Sequence, residues 1–251
     1  MKEEAVNGSV EFFAALKRAK RARYNFSRVE NKSVLVLAPH ADDEMVGCGG
    51  TLIKLINEGF QVEVILFTEE YESEIDRVGE FKEALKVIGC HKVIILGHID
   101  GDLLKYKEEA KQQVLAIMDK FSPGLIFSPY LLDETPDHKA ANLILYECLL
   151  EKSLKNEDVL IAMYEVWAPL IYADYYLDIS VEFKLKEQAL NCYESQEKRY
   201  KIINKAKKLN ALRADLSFRR NIEYMEAFQS LHINEFIKAV EFLLTNNWLE
   251  N

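Results

Sequence analysis

The chain has few cysteines, four in 251 residues: Cys48, Cys90, Cys148 and Cys192. They lie far apart with no CxxC pair, which excludes a zinc-finger pattern and a disulfide-stapled scaffold. Free thiols in a chain of this length fit a reducing compartment, so a cytoplasmic location is expected. Ten glycines and five prolines are too few for a collagen-like or low-complexity chain. No apolar run reaches the roughly 20 residues of a membrane span. The opening MKEEAVNGSVEFF is acidic where a secretory leader would be basic. Basic charge is also short: 32 Lys and Arg against 41 Asp and Glu, net −9. Phosphate backbones and anionic lipid surfaces need clustered Lys and Arg, so neither nucleic acid nor membrane is expected as a partner.

What is present is an ordinary globular balance, 49% hydrophobic and 29% charged. Ser33–Ala38 (SVLVLA) is continuously apolar, as a strand covered on both faces should be. Val62–Phe67, Val93–Leu96 and Gly124–Phe127 read the same way. Helical patterns separate them: Gly50–Ile56 closed by Gly59, Glu74–Ile88 ending at Gly89, and about Lys107–Lys120. Strand and helix therefore alternate over the first 150 residues. The pattern predicts an α/β fold, Rossmann-like, with a mostly parallel sheet and helices on both faces. Residues 1–30 read as an N-terminal helical extension, with Ser9 capping a helix to about Tyr24. Val159–Val166 and Tyr176–Ser180 read as later strands. Residues 182–251 read as a helical C-terminal part. No Gly/Ser-rich linker divides the chain, so residues 1–251 are taken as a single domain.

Ligands of such sheets bind beyond the carboxyl ends of the strands. The first strand runs directly into Pro39-His40-Ala41-Asp42-Asp43-Glu44. A polar turn with an Asp capping the next helix would explain part of this cluster. The position supports more: His40 and Asp43, three apart in a tight loop, can converge on one divalent ion while Asp42 stays free as a base. A mononuclear catalytic zinc wants three protein ligands and an open position. The loop after the fourth strand holds one histidine, His138, where Thr135 as N-cap and Pro136 at the first helical position start a helix. Gly47-Cys48-Gly49-Gly50 lacks the third glycine of a dinucleotide fingerprint and comes one loop too late, so a close helix–strand approach is the better use of these glycines. Cys48 reads as a small core residue. His98, at the end of the third strand, either reaches the cleft or lies beside it. Glu182–Arg220 carries eleven basic and five acidic residues, either a solvated helix face or a rim for an anionic part of a ligand.

The stretches Val34–Glu44 and Gly47–Leu52 together resemble the zinc-dependent N-acetylglucosaminyl deacetylases of the PIG-L/LmbE-like family. That family's first motif is (A/P)HPDDE followed by GxGG, and its second, HxDH, corresponds to Thr135-Pro136-Asp137-His138. Weaker likeness extends over Arg77–Glu80, Leu96–Leu103, Tyr164–Pro169 and Ala189–Gln196. The resemblance implies His40, Asp43 and His138 as ligands of Zn2+ or another divalent metal, and Asp42 as general base. It implies Arg77 as a substrate contact and Asp137 as an acid that orients a neighbouring side chain. Ala41 stands in place of the usual proline, and Thr135 in place of the histidine that supports the oxyanion. Tyr130, Thr135 and His98 remain open as donors at that position. The implied reaction is hydrolysis of an N-acetyl group from an amino sugar or its conjugate, by a homo-oligomer. A ligand-binding protein weakened by Thr135, and an amidase for a non-sugar amide, are the alternatives.

Overall fold

The computed structural model describes residue 26 and residues 29–70, 75–152, 159–217 and 220–246. The helix expected between Ser9 and Tyr24, and the expected helix start at Glu74, lie outside the described residues.

Strand β1 (Ser33–Ala38) leads into helix α1 (Asp43–Asn57); β2 (Gln61–Glu69) and α2 (Arg77–Val87) follow. Then come β3 (Lys92–Ile99), a 3-10 turn (Leu103–Tyr106), α3 (Lys107–Phe121), β4 (Leu125–Pro129) and α4 (Pro136–Glu151). The chain continues through β5 (Leu160–Tyr164), β6 (Tyr175–Asp178), α5 (Phe183–Leu190), α6 (Glu194–Tyr200), α7 (Ile202–Leu216), β7 (Met225–His232) and α8 (Ile233–Thr245).

The seven strands form one sheet in the order β3-β2-β1-β4-β5-β7-β6. Strands β1 to β5 pair in parallel; β7 pairs antiparallel with β5 and β6. From β1 the chain first builds outward through β2 and β3, then returns to the other side with β4. The junction of β1 and β4 is thus the topological switch point, where such sheets open a crevice at their carboxyl ends. Alternation along β1 sends Leu35 and Leu37 into a core with α3, α4 and α8, and Val34, Val36 and Ala38 into one with α1, α2, α5 and α7.

Two expectations need correction. Helix α1 begins at Asp43 and runs through Gly47, Gly49 and Gly50, seven residues before the expected start. Glycine disfavours a helix interior by roughly 1 kcal/mol each. Here the glycine is required by packing: a Cβ on Gly47 would lie 2.2 Å from the Tyr164 ring of β5. Residues 182–251 are also not helical throughout, because β7 inserts into the sheet. Its sequence MEAFQSLH hides a buried strand behind Glu226, Gln229 and Ser230, all buried polar residues. Glu226 accepts from the N–H groups of Gly50 (2.8 Å) and Thr51 (2.7 Å) in α1. It also pairs with the fully buried Lys186 of α5 (2.7 Å), whose ammonium donates to Val46 O and Asn210 Oδ1, each at 2.9 Å.

Candidate active site at the β1–β4 crevice

The turn between β1 and α1 is tight and strained. Asp42 has φ 131, a region costly for a non-glycine residue. The turn is held by Asp43, whose Oδ2 accepts the His40 N–H at 2.8 Å, and by Val46 N–H donating to Asp42 O at 2.9 Å. On the other side of the switch point, Thr135 and Pro136 open α4 and bring His138 into its first turn, fully buried.

These two loops bring His40, Asp43 and His138 together. Asp43 Oδ2 lies 3.3 Å from His40 Nδ1 and 3.1 Å from His138 Nε2. Zinc–ligand bonds of 2.0–2.1 Å in a tetrahedron place neighbouring donors about 3.3 Å apart, so the spacing fits one small cation shared by three ligands. Orphaned ligand atoms fit it as well: among the described residues, buried Asp43 Oδ1 and His138 Nε2 have no well-aligned hydrogen-bond partner. Each imidazole turns its other nitrogen to a carboxylate. His40 Nε2 lies 3.1 Å from Asp137 Oδ2 and 3.4 Å from Asp100 Oδ1. His138 Nδ1 lies 3.3 Å from Asp133 Oδ2, within ion-pair reach although poorly aligned as a hydrogen bond. A carboxylate behind a histidine fixes ring orientation and raises ligand basicity at metal centres.

The electrostatics point the same way. Burial disfavours a charged His40, yet its hydrogen bonds to Asp100, Asp137 and Asp43, which accept, hold its pKa well above the usual value. Burial likewise opposes a charged His138, but Asp43 and Asp133 push it up to about 9. Burial would raise Asp43 and Asp133; their histidine partners overcome this, holding Asp43 well below the carboxylate range and Asp133 down to about 2. The cluster is a strong attractor of positive charge. Asp42 differs: burial and then the neighbouring Asp43 charge push it up to about 8, against the pull of Arg77 and both histidines.

His40 and Asp42 line a cavity of about 510 Å³. Glu70, Arg77, Asp100, Thr135, Trp167, Gln196, Arg199 and Tyr200 complete its lining. Arg77, the first residue of α2, donates to Asp100 Oδ2 (2.9 Å) and Ala41 O (3.3 Å). Asp137 also accepts from the N–H groups of Gly101 (2.7 Å) and Leu103 (3.1 Å), so it fixes the β3 end loop as well as His40. Helix α6 is tied to α2 by Glu80, which accepts from Ser195 N and Oγ.

Tyr130 does not reach the cavity: it is buried in the core, its hydroxyl engaged by the Ile171 backbone. Thr135 lines the cavity, but its hydroxyl does not cap α4; it donates to Asp133 Oδ1 at 2.7 Å. That proton is therefore committed to a carboxylate. His98 is buried beside the cleft, hydrogen-bonded to Gln113 at 2.8 Å. Sequence reasoning missed Asp133 and Asp100. Asp133 lies two residues before the helix-starting Thr135, and Asp100 follows the third strand directly, so strand-end position was the available signal for both.

The α/β sheet thus gathers at its switch point three residues, His40, Asp43 and His138, that could hold a metal ion. The family described as PIG-L, GlcNAc-PI de-N-acetylase, matches residues 35–149, which contain both loops of the cluster. That match includes both motifs on which the resemblance to the PIG-L/LmbE-like deacetylases rests. The chain is 28% identical over 216 residues, 77% of this chain and 80% of the relative, to a diacetylchitobiose deacetylase of Thermococcus kodakarensis. Among solved structures it resembles the conserved protein TT1542 of Thermus thermophilus (26% identity, TM-score 0.68, covering 78% of this chain and 92% of that one). It also resembles an N,N'-diacetylchitobiose deacetylase of Pyrococcus horikoshii in fold (21% identity, TM-score 0.70, covering 90% and 93%).

Proposed function

We propose that the chain is a divalent-metal-dependent N-deacetylase that hydrolyses the acetamido group of an N-acetylated amino sugar or its conjugate. The observation that carries the reading is the convergence of His40 Nδ1, Asp43 Oδ2 and His138 Nε2 beside a buried Asp42 at the cavity wall. The deacetylase names of its relatives support the reaction class.

In this reading His40, Asp43 and His138 hold Zn2+, with Asp100 and Asp137 orienting His40 and Asp133 orienting His138. Zinc supplies Lewis-acid polarisation of the acetyl carbonyl and makes water a stronger acid. Asp42 accepts the proton of the attacking water as the new C–O bond forms. It then delivers that proton to the amide nitrogen as the C–N bond breaks, giving acetate and the free amine. A base whose environment penalises its charge is suited to both halves of that transfer. Arg77, held by Asp100 and Ala41 O, presents its guanidinium to the sugar.

The test is acetate release by the metal-loaded protein from a panel of N-acetylhexosamines and their conjugates, with metal content measured in parallel. His138→Ala is expected to lose the metal. Asp42→Asn is expected to keep it and to lose roughly two to four orders of magnitude in turnover. Undiminished metal in His138→Ala, or near wild-type turnover in Asp42→Asn, would overturn the assignment. Metal and sugar bound without acetate release would favour a binding protein on this fold.

A further inference from the structure

Thr135 enters the cavity lining from the loop that also delivers His138 to the metal cluster. A hydroxyl at that place has two uses: it gives its proton to a bound molecule, or it accepts one from it. The contacts around Asp133 leave only the second open. Asp133 Oδ1 accepts from both the N–H (3.0 Å) and the hydroxyl (2.7 Å) of Thr135. Asp133 Oδ2 accepts from the N–H groups of Trp167 (3.2 Å) and Ala168 (3.3 Å) and faces His138 Nδ1. Backbone N–H groups only donate, so both oxygens of this buried carboxylate act as acceptors, and neither returns a proton to Thr135. Any group that reaches the Thr135 oxygen from the cavity therefore meets lone pairs alone. Donation to a carboxylate also makes that oxygen a stronger acceptor than a free hydroxyl. The side chain has little freedom to turn away, since its N–H and its hydroxyl share one oxygen of an anchored carboxylate.

An acetamido group carries one acceptor, its carbonyl oxygen, and one donor, its N–H. In the deacetylase reading the metal polarises the oxygen, and the N–H needs an acceptor once water has left the site. Neighbouring groups of the lining are otherwise engaged. Asp100 accepts from Arg77 and faces His40. Glu70 lies 3.6 Å from the Arg77 guanidinium, which has no acceptor of its own. Asp42 takes the proton of the attacking water. An acceptor at the nitrogen also gains strength as the reaction proceeds. When Asp42 hands its proton to the nitrogen, the departing amine carries one more N–H and a share of positive charge. The contact to Thr135 is then worth more at the point where the C–N bond breaks than in the bound substrate, which is what raises a rate.

We infer that Thr135 Oγ accepts a hydrogen bond from the N–H of the scissile acetamide, and is the residue by which the site tells an N-acetyl from an O-acetyl group. The inference rests on the deacetylase reading. It makes Thr135 a specificity-determining acceptor at the nitrogen, where a donor to the oxyanion was the expectation from the resemblance. Asp133 then serves the reacting group twice, through His138 on the metal side and through Thr135 on the nitrogen side.

The test compares the best N-acetyl substrate of the panel with its 2-O-acetyl counterpart, in the simplest case N-acetylglucosamine with 2-O-acetylglucose. The ester presents the same acetyl carbonyl and has no N–H at the scissile bond. Acetate release is measured for metal-loaded wild type, Thr135→Val and Thr135→Ser at equal metal content. Valine keeps the shape of threonine without the hydroxyl, and serine keeps the hydroxyl. The amide-to-ester ratio of kcat/KM should fall about tenfold in Thr135→Val, the scale of one hydrogen bond, and stay near the wild-type ratio in Thr135→Ser. If valine lowers the melting temperature, Thr135→Ala repeats the comparison with a smaller side chain. A purely structural hydroxyl, holding Asp133 and through it His138, would slow both substrates alike and leave the ratio unmoved. That result, or a serine variant that falls as far as the valine variant, overturns the assignment of Thr135 and leaves the deacetylase reading standing. No acetate release from any amide of the panel by the fully metallated wild type overturns the deacetylase reading, and the assignment with it.

Discussion

Replacing Lys186 by methionine should destabilise the fold far more than the loss of one surface charge. Lys186 is fully buried, and its ammonium makes three contacts of 2.7–2.9 Å, to Glu226, Val46 O and Asn210. Methionine fills similar volume but leaves Glu226, 1% exposed, with only the two α1 N–H groups as partners. Breaking a buried ion pair from one side typically costs about 3–5 kcal/mol, because an uncompensated charge stays buried. For a chain of this size each kcal/mol lowers the melting temperature by about 2–4 °C, so a fall on the order of 10 °C is expected. Urea unfolding of wild type and Lys186→Met at pH 8 measures this. The double variant Lys186→Met/Glu226→Gln removes the stranded charge and should recover at least half of the loss. A single variant within 1 kcal/mol of wild type at pH 8, or a double variant no better than the single, would refute the reasoning.

Other outcomes follow from the same contacts. Asp133→Asn should weaken zinc affinity about 10–100-fold, measured by competition with a chelator, because His138 loses the carboxylate that orients it; unchanged affinity would assign Asp133 to the loop alone. Gly47→Ala should destabilise by about 1–3 kcal/mol in a thermal melt, since the Tyr164 ring it meets is anchored by its hydroxyl to Leu37 O at 2.7 Å; a raised melting temperature would show that the ring can yield. Asp174, which accepts from Ser230 N–H, is pushed up to about 7 by burial. Its protonated form is favoured by folding, so its contribution is intact below pH 4 and is lost as pH rises through 7. Asp174→Asn should therefore raise the melting temperature relative to wild type at pH 8 and change it little at pH 4, and equal shifts at both would exclude this titration.

The parallel half of the fold was legible because its strands are apolar on both faces and their spacing leaves room only for crossover helices. The β1 end loop was legible because a histidine and three acids crowd into five residues at a strand's carboxyl end. Strand β7 was not, since its buried faces carry Glu226, Gln229 and Ser230, whose partners are α1 amides, Lys186 and Asp174 from elsewhere in the chain. Hydrophobic periodicity has no access to such long-range satisfaction of polar groups. The same limit hid Asp133, whose role depends on three segments meeting at one carboxylate. Tyr130 stood in the right loop, but the loop turns it into the core, and nothing in the loop's composition marks which of its side chains faces inward.

The clamp on α1 also has a consequence for synthesis. The helix that begins with Asp43 has its Gly50 and Thr51 amides answered by a residue 176 and 175 positions further on. At 5–20 residues per second, a ribosome needs roughly ten to thirty-five seconds to cover that distance. For the second half of that interval, once His138 has been made, both loops of the candidate site exist while the groups that lock α1 do not. The segment 35–149 therefore contains both loops of the candidate site but not the carboxylate that clamps α1. Maturation of the site waits on the last quarter of the chain, and nascent forms ending before β7 would present the His-Asp-His cluster on an unsecured helix.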